Sequence, residues 1–132
     1  MKYIGIMSGT SLDGIDAVLC EFGTENKLQV LAKTSLPFEP QLQQDLQALL
    51  RSFSCHLKEF GELEVRLAIN YAQAVQQLLD NSGVAPQEVK AIGCHGQTVF
   101  HDPYNQYPFS LQLVDGNKLA QLTGINVVCD FR

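Results

Sequence analysis

The stretch that decides the fold is YIGIMSGTSLDGIDAVLCEF, which runs from Tyr3 to Phe22. Its two ends, Tyr3–Met7 and Ala17–Phe22, are short apolar runs of the kind that form buried strands. The residues between them, Ser8–Asp16, are rich in Gly, Ser, Thr and Asp. We therefore expect this segment to connect the two strands as a hairpin.

A third apolar run, Leu28–Leu36, follows the polar turn Gly23–Lys27 and predicts a third strand. Strands this close in sequence must be mostly antiparallel, because a parallel crossover needs about a dozen residues or more. The spacing of apolar residues then becomes helical. One helix is expected to begin at Pro40, and a longer one runs from about Leu57 to Asn81, with Gly83 as its cap.

The second half of the chain alternates shorter elements, predicted as a strand at Val89–Cys94, a short strand at Ser110–Val114, a helix at Gly116–Leu122 and a strand at Asn126–Cys129. The segment Thr98–Phe109 contains two prolines and two tyrosines, and we expect it to be a loop. The fold class is therefore α/β, with three antiparallel strands and then alternating helices and strands in a mixed sheet. This order is typical of the ribonuclease-H-like core of actin, Hsp70 and the sugar kinases.

Composition excludes several classes of protein. Hydrophobic residues make up 45% and charged residues 17% of the chain, which is typical of a globular domain. The net charge of -5 and the absence of basic clusters argue against nucleic acid as a partner. No apolar stretch approaches the ~20 residues of a membrane span. The four cysteines are scattered without a CxxC pair, so we expect a reducing, cytoplasmic location.

The connection Gly9–Asp16 (GTSLDGID) has the composition of a phosphate-binding turn. Successive backbone N–H groups can converge on an anion in such a turn, and glycine lets the anion approach closely. Thr10 and Ser11 can donate hydroxyl hydrogen bonds, and Asp13 and Asp16 can hold Mg²⁺ directly or through water. The alternative is a plain polar turn. The segment is not a Walker A loop, because it lacks the Gly-Lys-Ser/Thr with which that loop ends. It is not a dinucleotide-binding loop either, because a strand and not a helix follows it.

A second group of polar residues lies in Gly93–Pro103 (GCHGQTVFHDP), directly after a predicted strand. His95, Gln97 and His101 can each hydrogen-bond the hydroxyl or amide groups of a sugar. The alternative is a structural loop whose histidines bond only to the backbone. A zinc site is a further alternative, although the spacing of its ligands matches no standard finger. That set would be Cys94, His95, His101 and Cys129.

A third group of polar residues follows the last two predicted strands. Asp115 is a candidate helix N-cap. Asp130 and Arg132 lie just beyond the last strand, where functional side chains are common, but they can equally form an inert surface ion pair. The chain stops immediately after this strand, so we expect it to be part of a longer protein.

Together, IGIMSGTSLDGIDAVL, AIGCHGQTVFHDP and TGINVVCDFR closely resemble the anhydro-N-acetylmuramic acid kinases, in the right order and over nearly the whole chain. The resemblance implies a bacterial enzyme of cell-wall recycling that uses ATP and Mg²⁺. It would phosphorylate O6 of the amino sugar 1,6-anhydro-N-acetylmuramic acid while water opens the anhydro bridge, giving N-acetylmuramic acid 6-phosphate.

The resemblance also implies roles for individual residues. The ATP-binding segment would be Gly9, Thr10, Ser11, Leu12, Asp13, Gly14, Ile15 and Asp16. The residues towards the sugar would be His95, Gln97, His101, Asp130 and Arg132. Residues 1–132 would form the N-terminal lobe, and the general base and most of the adenine site would lie in a C-terminal lobe outside this chain. The fragment is then expected to be inactive alone.

One feature departs from the wider superfamily, in which the first strand often ends in Asp-x-Gly-Thr and the aspartate organises the metal. Met7 stands at that position here, so a metal role for Asp13 and Asp16 is an inference. A non-catalytic, actin-like nucleotide-binding or assembly module is the main competing hypothesis, and a scaffold without a ligand is a third. Apolar surface left bare by a missing lobe could drive formation of a homodimer.

Overall fold

A computed structural model describes all 132 residues of the chain. Its first part is a three-stranded antiparallel meander of β1 (Lys2–Ser8), β2 (Ile15–Phe22) and β3 (Leu28–Leu36). Ser8 pairs with Ile15, so the predicted connection is a tight loop between paired strands. The three predicted strands and their antiparallel pairing are confirmed.

Two helices follow the meander. Helix α1 (Pro40–Ser52) is capped by Glu39, whose side chain accepts hydrogen bonds from the N–H groups of Gln41 and Leu42 in the first turn, and its first residue is a proline. Helix α2 (Leu57–Ser82) ends at Gly83, which adopts the left-handed conformation with φ 69°. Both helices and the glycine cap were predicted, because apolar spacing and terminal residues together define a helix.

The second half contains β4 (Val89–Cys94), β5 (Gln97–Asp102), β6 (Phe109–Leu113), α3 (Gly116–Thr123) and β7 (Val127–Val128). The Asp115 side chain accepts a hydrogen bond from the Lys118 N–H at 2.8 Å, which confirms the predicted cap. The last strand is shorter than predicted, since β7 pairs with the sheet only at Ile92 and Gly93.

The expectation that Thr98–Phe109 is a loop is wrong. Strands β5 and β6 pair antiparallel as a separate two-stranded hairpin. Pro103 and Pro108 lie in the turn between the strands, where neither has to donate a ladder hydrogen bond. The prolines therefore mark the turn of a hairpin.

The main sheet is mixed and has the strand order β3-β2-β1-β4-β7. Strand β1 runs parallel to β4, and β4 runs parallel to β7. The buried face of β1 and β2 packs in one hydrophobic core with α2, through side chains that include Ile4, Ile6, Ala17, Leu19, Leu67 and Leu78. No helix combines the length and the apolar character needed to cross a membrane.

The opposite face of the sheet is uncovered along β2 and β3. Phe22, Leu28 and Val30 lie on it, and each is exposed over roughly half of its surface (46%, 58% and 56%). The chain thus presents an apolar sheet face as well as a buried one.

Candidate functional site

The loop between β1 and β2 is anchored by a leucine. Leu12 is only 1% exposed and packs in the core, although its neighbours in the loop are polar. It adopts φ 55°, and its N–H donates to the Gly9 carbonyl at 3.1 Å. Its own carbonyl accepts a hydrogen bond from the Gln43 side chain of α1 at 2.8 Å. The loop is therefore fixed to both the core and a helix.

The anchored loop leaves a run of backbone donors free. Among the hydrogen bonds made outside the helices and strands, none uses the N–H groups of Gly9, Thr10 or Ser11. A Cβ added at Gly9 would meet only the Ser11 hydroxyl, at 3.9 Å, so the space beside this backbone is open. Consecutive unpaired N–H groups in a rigid turn are typical of anion-binding concavities.

Gly9 and Thr10, which carry two of these free donors, line a cavity of about 480 Å³ at the edge of the sheet. It is lined by residues from the end of β1, the loop after it, the β5–β6 hairpin and the C-terminus, namely Met7, Ser8, Gly9, Thr10, Thr98, His101, Ser110 and Arg132. All but Met7 are polar or glycine, and none carries a carboxylate. Such a lining suits an oxygen-rich, negatively charged ligand.

The hairpin contributes three of these side chains through an irregularity in its pairing. A bulge between Thr98 and Phe100 adds one residue to β5. Thr98 and His101 therefore face the same cavity, although they are three apart in sequence. Ser110 joins them because it pairs with His101 across the hairpin.

Arg132 is the permanently charged group of the cavity. Its Nη1 donates to the Thr98 hydroxyl at 3.4 Å. A guanidinium beside hydroxyls and free N–H groups favours phosphate or carboxylate, which it can bind with two parallel hydrogen bonds.

His95 and Gln97 lie behind the cavity and do not line it. The Nε2 of His95 is 3.3 Å from the Met7 sulfur, and its ring makes an edge contact with Phe131. Burial lowers the pKa of His95, and the positive charge of Arg132 lowers it further. Gln97 is fully buried, and its Oε1 has no hydrogen-bond partner.

The remaining members of the predicted phosphate-binding segment also lie outside the cavity lining; they are Ser11, Leu12, Asp13, Gly14, Ile15 and Asp16. The Ile15 side chain is completely buried in the core. Asp13 is exposed and accepts no hydrogen bond from a side chain. Asp16 is exposed on the uncovered sheet face and accepts a hydrogen bond from Ser35 at 2.5 Å.

Asp130 is exposed, with φ 59°, and does not line the cavity either. No group of three or more His, Cys, Asp or Glu side chains lies close enough together to hold a metal ion. The zinc set considered from the sequence, with Cys94 and Cys129, therefore does not form. All four cysteines are free thiols.

Three polar lining residues were not predicted as site residues from the sequence: Ser8, Thr98 and Ser110. Thr98 was hidden by the interpretation of its segment as a loop, and Ser110 was predicted only as the start of a short strand. Ser8 ends a strand, and its position directly before Gly9 was the sequence feature that could have identified it as a site residue.

The chain matches the family model described as anhydro-N-acetylmuramic acid kinase over residues 1–132. It is similar to curated proteins of the same name. It is 46% identical to the protein of Sulfurovum sp. (strain NBC37-1) and 47% identical to that of Photobacterium profundum, each over 99% of the chain. Identity to the Pasteurella multocida protein is 42% over 100% of the chain.

The chain spans about a third of the length of these relatives, 36%, 35% and 35% respectively. The match nevertheless includes every part of the chain that lines the cavity, namely the end of β1, the loop after it, the β5–β6 hairpin and Arg132. This chain belongs to the anhydro-N-acetylmuramic acid kinase family.

Proposed function

We propose that residues 1–132 form the N-terminal lobe of a two-lobed, cytoplasmic ATP-dependent sugar kinase. The complete protein would phosphorylate O6 of 1,6-anhydro-N-acetylmuramic acid while water opens the anhydro bridge, giving N-acetylmuramic acid 6-phosphate. The observation that carries the proposal is the cavity that joins the free N–H groups of Gly9 and Thr10 to Arg132, in a chain of this family.

The strand order supports a ribonuclease-H-like lobe of the actin, Hsp70 and sugar-kinase superfamily. In the order β3-β2-β1-β4-β7, only β2 runs against its neighbours. The carboxyl ends of the parallel strands β1 and β4 meet at one edge, where Met7 contacts His95. Ligand sites in open α/β sheets form at such an edge.

The residues that line the cavity form two groups, one suited to phosphates and one suited to a sugar. The N–H groups of Gly9 and Thr10 would hold the phosphates of ATP, since phosphoryl transfer depends on positioning and on neutralising charge. Thr98, His101 and Ser110, on the β5–β6 hairpin, would meet the hydroxyl and amide groups of the sugar, with Arg132 beside Thr98.

Mg²⁺ is proposed as the cofactor of this site. It is usually held by one or two carboxylates together with waters and substrate phosphates, so it does not require a three-residue cluster. Asp13 is the carboxylate without a hydrogen-bond partner, and Asp16 keeps one oxygen free of Ser35. Either would hold the ion, directly or through water, and the bound ion would neutralise charge on the phosphate oxygens.

The cavity contains no carboxylate side chain, and its one histidine, His101, is assigned here to sugar binding. Attack of water on the anomeric carbon needs a base within hydrogen-bond reach. We therefore assign the base and the adenine site to a second lobe.

A coupled assay tests the proposal. The protein extended to the length of its relatives should consume ATP only when the anhydro-sugar is present, and mass spectrometry should show the 6-phosphate product. Residues 1–132 alone should show no turnover. An extended protein that binds ATP in calorimetry but consumes none with the anhydro-sugar would favour the non-catalytic, actin-like module, which the free N–H groups would suit equally.

Homodimer formation through the uncovered sheet face is a further part of the proposal. Phe22, Leu28 and Val30 supply exposed apolar surface there. Light scattering on residues 1–132 should give a mass near twice 14.6 kDa at high concentration. A monomer at all concentrations would contradict this assembly.

A further inference from the structure

Ser8 and Tyr71 form a buried pair of hydroxyl groups directly behind the cavity. The two oxygens are 2.6 Å apart, and the residues lie on β1 and α2, far apart in sequence. Tyr71 is 2% exposed and Ser8 is 4% exposed. Each hydroxyl has the other as its only hydrogen-bond partner within the chain.

Only one of the two protons can lie between the two oxygens. Burial raises the pKa of Tyr71 above its usual range, so its hydroxyl carries its proton at neutral pH. That proton has one acceptor, the Ser8 oxygen, because Tyr71 is enclosed by the core. If Ser8 donated instead, the tyrosine proton would be buried without an acceptor, which is unfavourable.

Tyr71 therefore donates to Ser8, and the Ser8 proton must be directed elsewhere. Ser8 lines the cavity, next to Gly9. We infer that Tyr71 positions the Ser8 hydroxyl as a hydrogen-bond donor into the cavity, where it binds a phosphoryl oxygen of the nucleotide. This inference rests on the proposed function and adds one contact residue, Ser8, and one positioning residue, Tyr71.

The surroundings of Ser8 select a phosphoryl group over a sugar hydroxyl. Its hydroxyl continues the run of donors formed by the N–H groups of Gly9 and Thr10. No carboxylate lines the cavity. Three neighbouring donors, the Ser8 hydroxyl and the N–H groups of Gly9 and Thr10, suit a ligand with several acceptor oxygens at one point, which a phosphoryl group has and a single hydroxyl lacks.

Unfolding in urea tests, without any ligand, whether the buried Tyr71 hydroxyl has no acceptor other than Ser8. Ser8→Ala should lower the midpoint of unfolding, because the buried Tyr71 proton loses its acceptor. The double variant Ser8→Ala/Tyr71→Phe should be more stable than Ser8→Ala, because the orphaned proton is removed as well. A double variant no more stable than Ser8→Ala would overturn the inference.

Binding of ATP, tripolyphosphate and adenosine to the full-length protein tests the ligand. Ser8→Ala should weaken ATP and tripolyphosphate about tenfold, the loss of one charge-assisted hydrogen bond, and leave adenosine unchanged. Tyr71→Phe should weaken both phosphate ligands about threefold, but should have no further effect when Ser8 is already alanine. Ser54→Ala and Tyr107→Phe, whose hydroxyls are unbonded and lie outside the cavity, are the matched controls.

The outcomes separate the two proposals. If wild type binds ATP and Ser8→Ala binds it equally well, the role of Ser8 is refuted and the kinase proposal stands. If wild type binds neither ATP nor tripolyphosphate, the kinase proposal itself fails. Equal weakening of adenosine and tripolyphosphate would show a general structural effect and would also refute the role of Ser8.

Discussion

Replacing Leu12 with alanine tests whether the core holds the loop that carries the free N–H groups. Leu12 is almost fully buried, so truncation removes its core contacts and leaves a cavity. Comparable Leu→Ala changes cost about 2–5 kcal/mol, and we expect a loss of about 3 kcal/mol in the free energy of unfolding. The left-handed backbone at Leu12 adds nothing to this difference, because alanine also carries a Cβ.

The informative control is Leu46→Ala. Leu46 lies on α1, is completely buried and belongs to the same core, but it is not part of the loop. Urea titrations should show similar losses of stability for both variants. Calorimetry well below the unfolding midpoint should show that only Leu12→Ala weakens ATP binding, by about tenfold or ~1.4 kcal/mol, because its N–H groups are no longer held in place.

Two results would refute this reasoning. A loss of less than about 1 kcal/mol for Leu12→Ala would mean that the loop does not depend on this side chain. Equal ATP affinities for the two variants would mean that the anchored geometry is not what binds the phosphates.

Three further predictions concern residues around the cavity. Gly96→Ala should lower the free energy of unfolding by about 3 kcal/mol or more, because Gly96 has φ 83° and a Cβ there would lie 2.2 Å from the Leu113 carbonyl oxygen. Gly124→Ala, with φ 70° and open space around it, should lower the free energy of unfolding by only about 1 kcal/mol, and thermal melts of the two variants measure the difference. The pKa of His95 is lowered from its ordinary value of 6.5, so the unfolded state binds more protons and stability should fall as the pH drops below that value. In urea titrations, His95→Gln should therefore lose less stability than wild type between about pH 7 and about pH 5. A variant with the same pH dependence as wild type would count against the burial argument. Arg132→Ala should weaken ATP or sugar binding by about 1.5–3 kcal/mol in calorimetry, and Arg132→Lys should restore part of it, whereas full affinity in both variants would remove Arg132 from the site.

The sequence predicts the meander and the helices well because their signals are local. Leu28–Leu36 and the cap at Gly83 follow from apolar runs and from one glycine, without knowledge of distant contacts. Strand β6 agrees with the short strand predicted at Ser110–Val114, but β5 and its pairing with β6 were missed, because Pro103 was interpreted as a loop residue when it marks the turn.

The composition of the cavity could be predicted only in part. Gly9, Thr10, His101 and Arg132 were predicted and lie together in the structure, although what they bind stays a prediction. The position of the other residues that line the cavity depends on two features that involve contacts between distant parts of the sequence. One is the parallel pairing of β1 with β4, and the other is the bulge near Thr98. Neither feature has a signal in a single sequence.

The pairing of β1 with β2 on one edge and with β4 on the other sets an order of events during synthesis. The β1–β2 hairpin is local and can form within about 1–10 μs, whereas β1 must wait for β4, which emerges much later. At about 5–20 residues per second, the ribosome needs roughly 5–20 s to reach Arg132 after β2. The nascent chain thus carries an unpaired β1 edge for seconds before the cavity is complete.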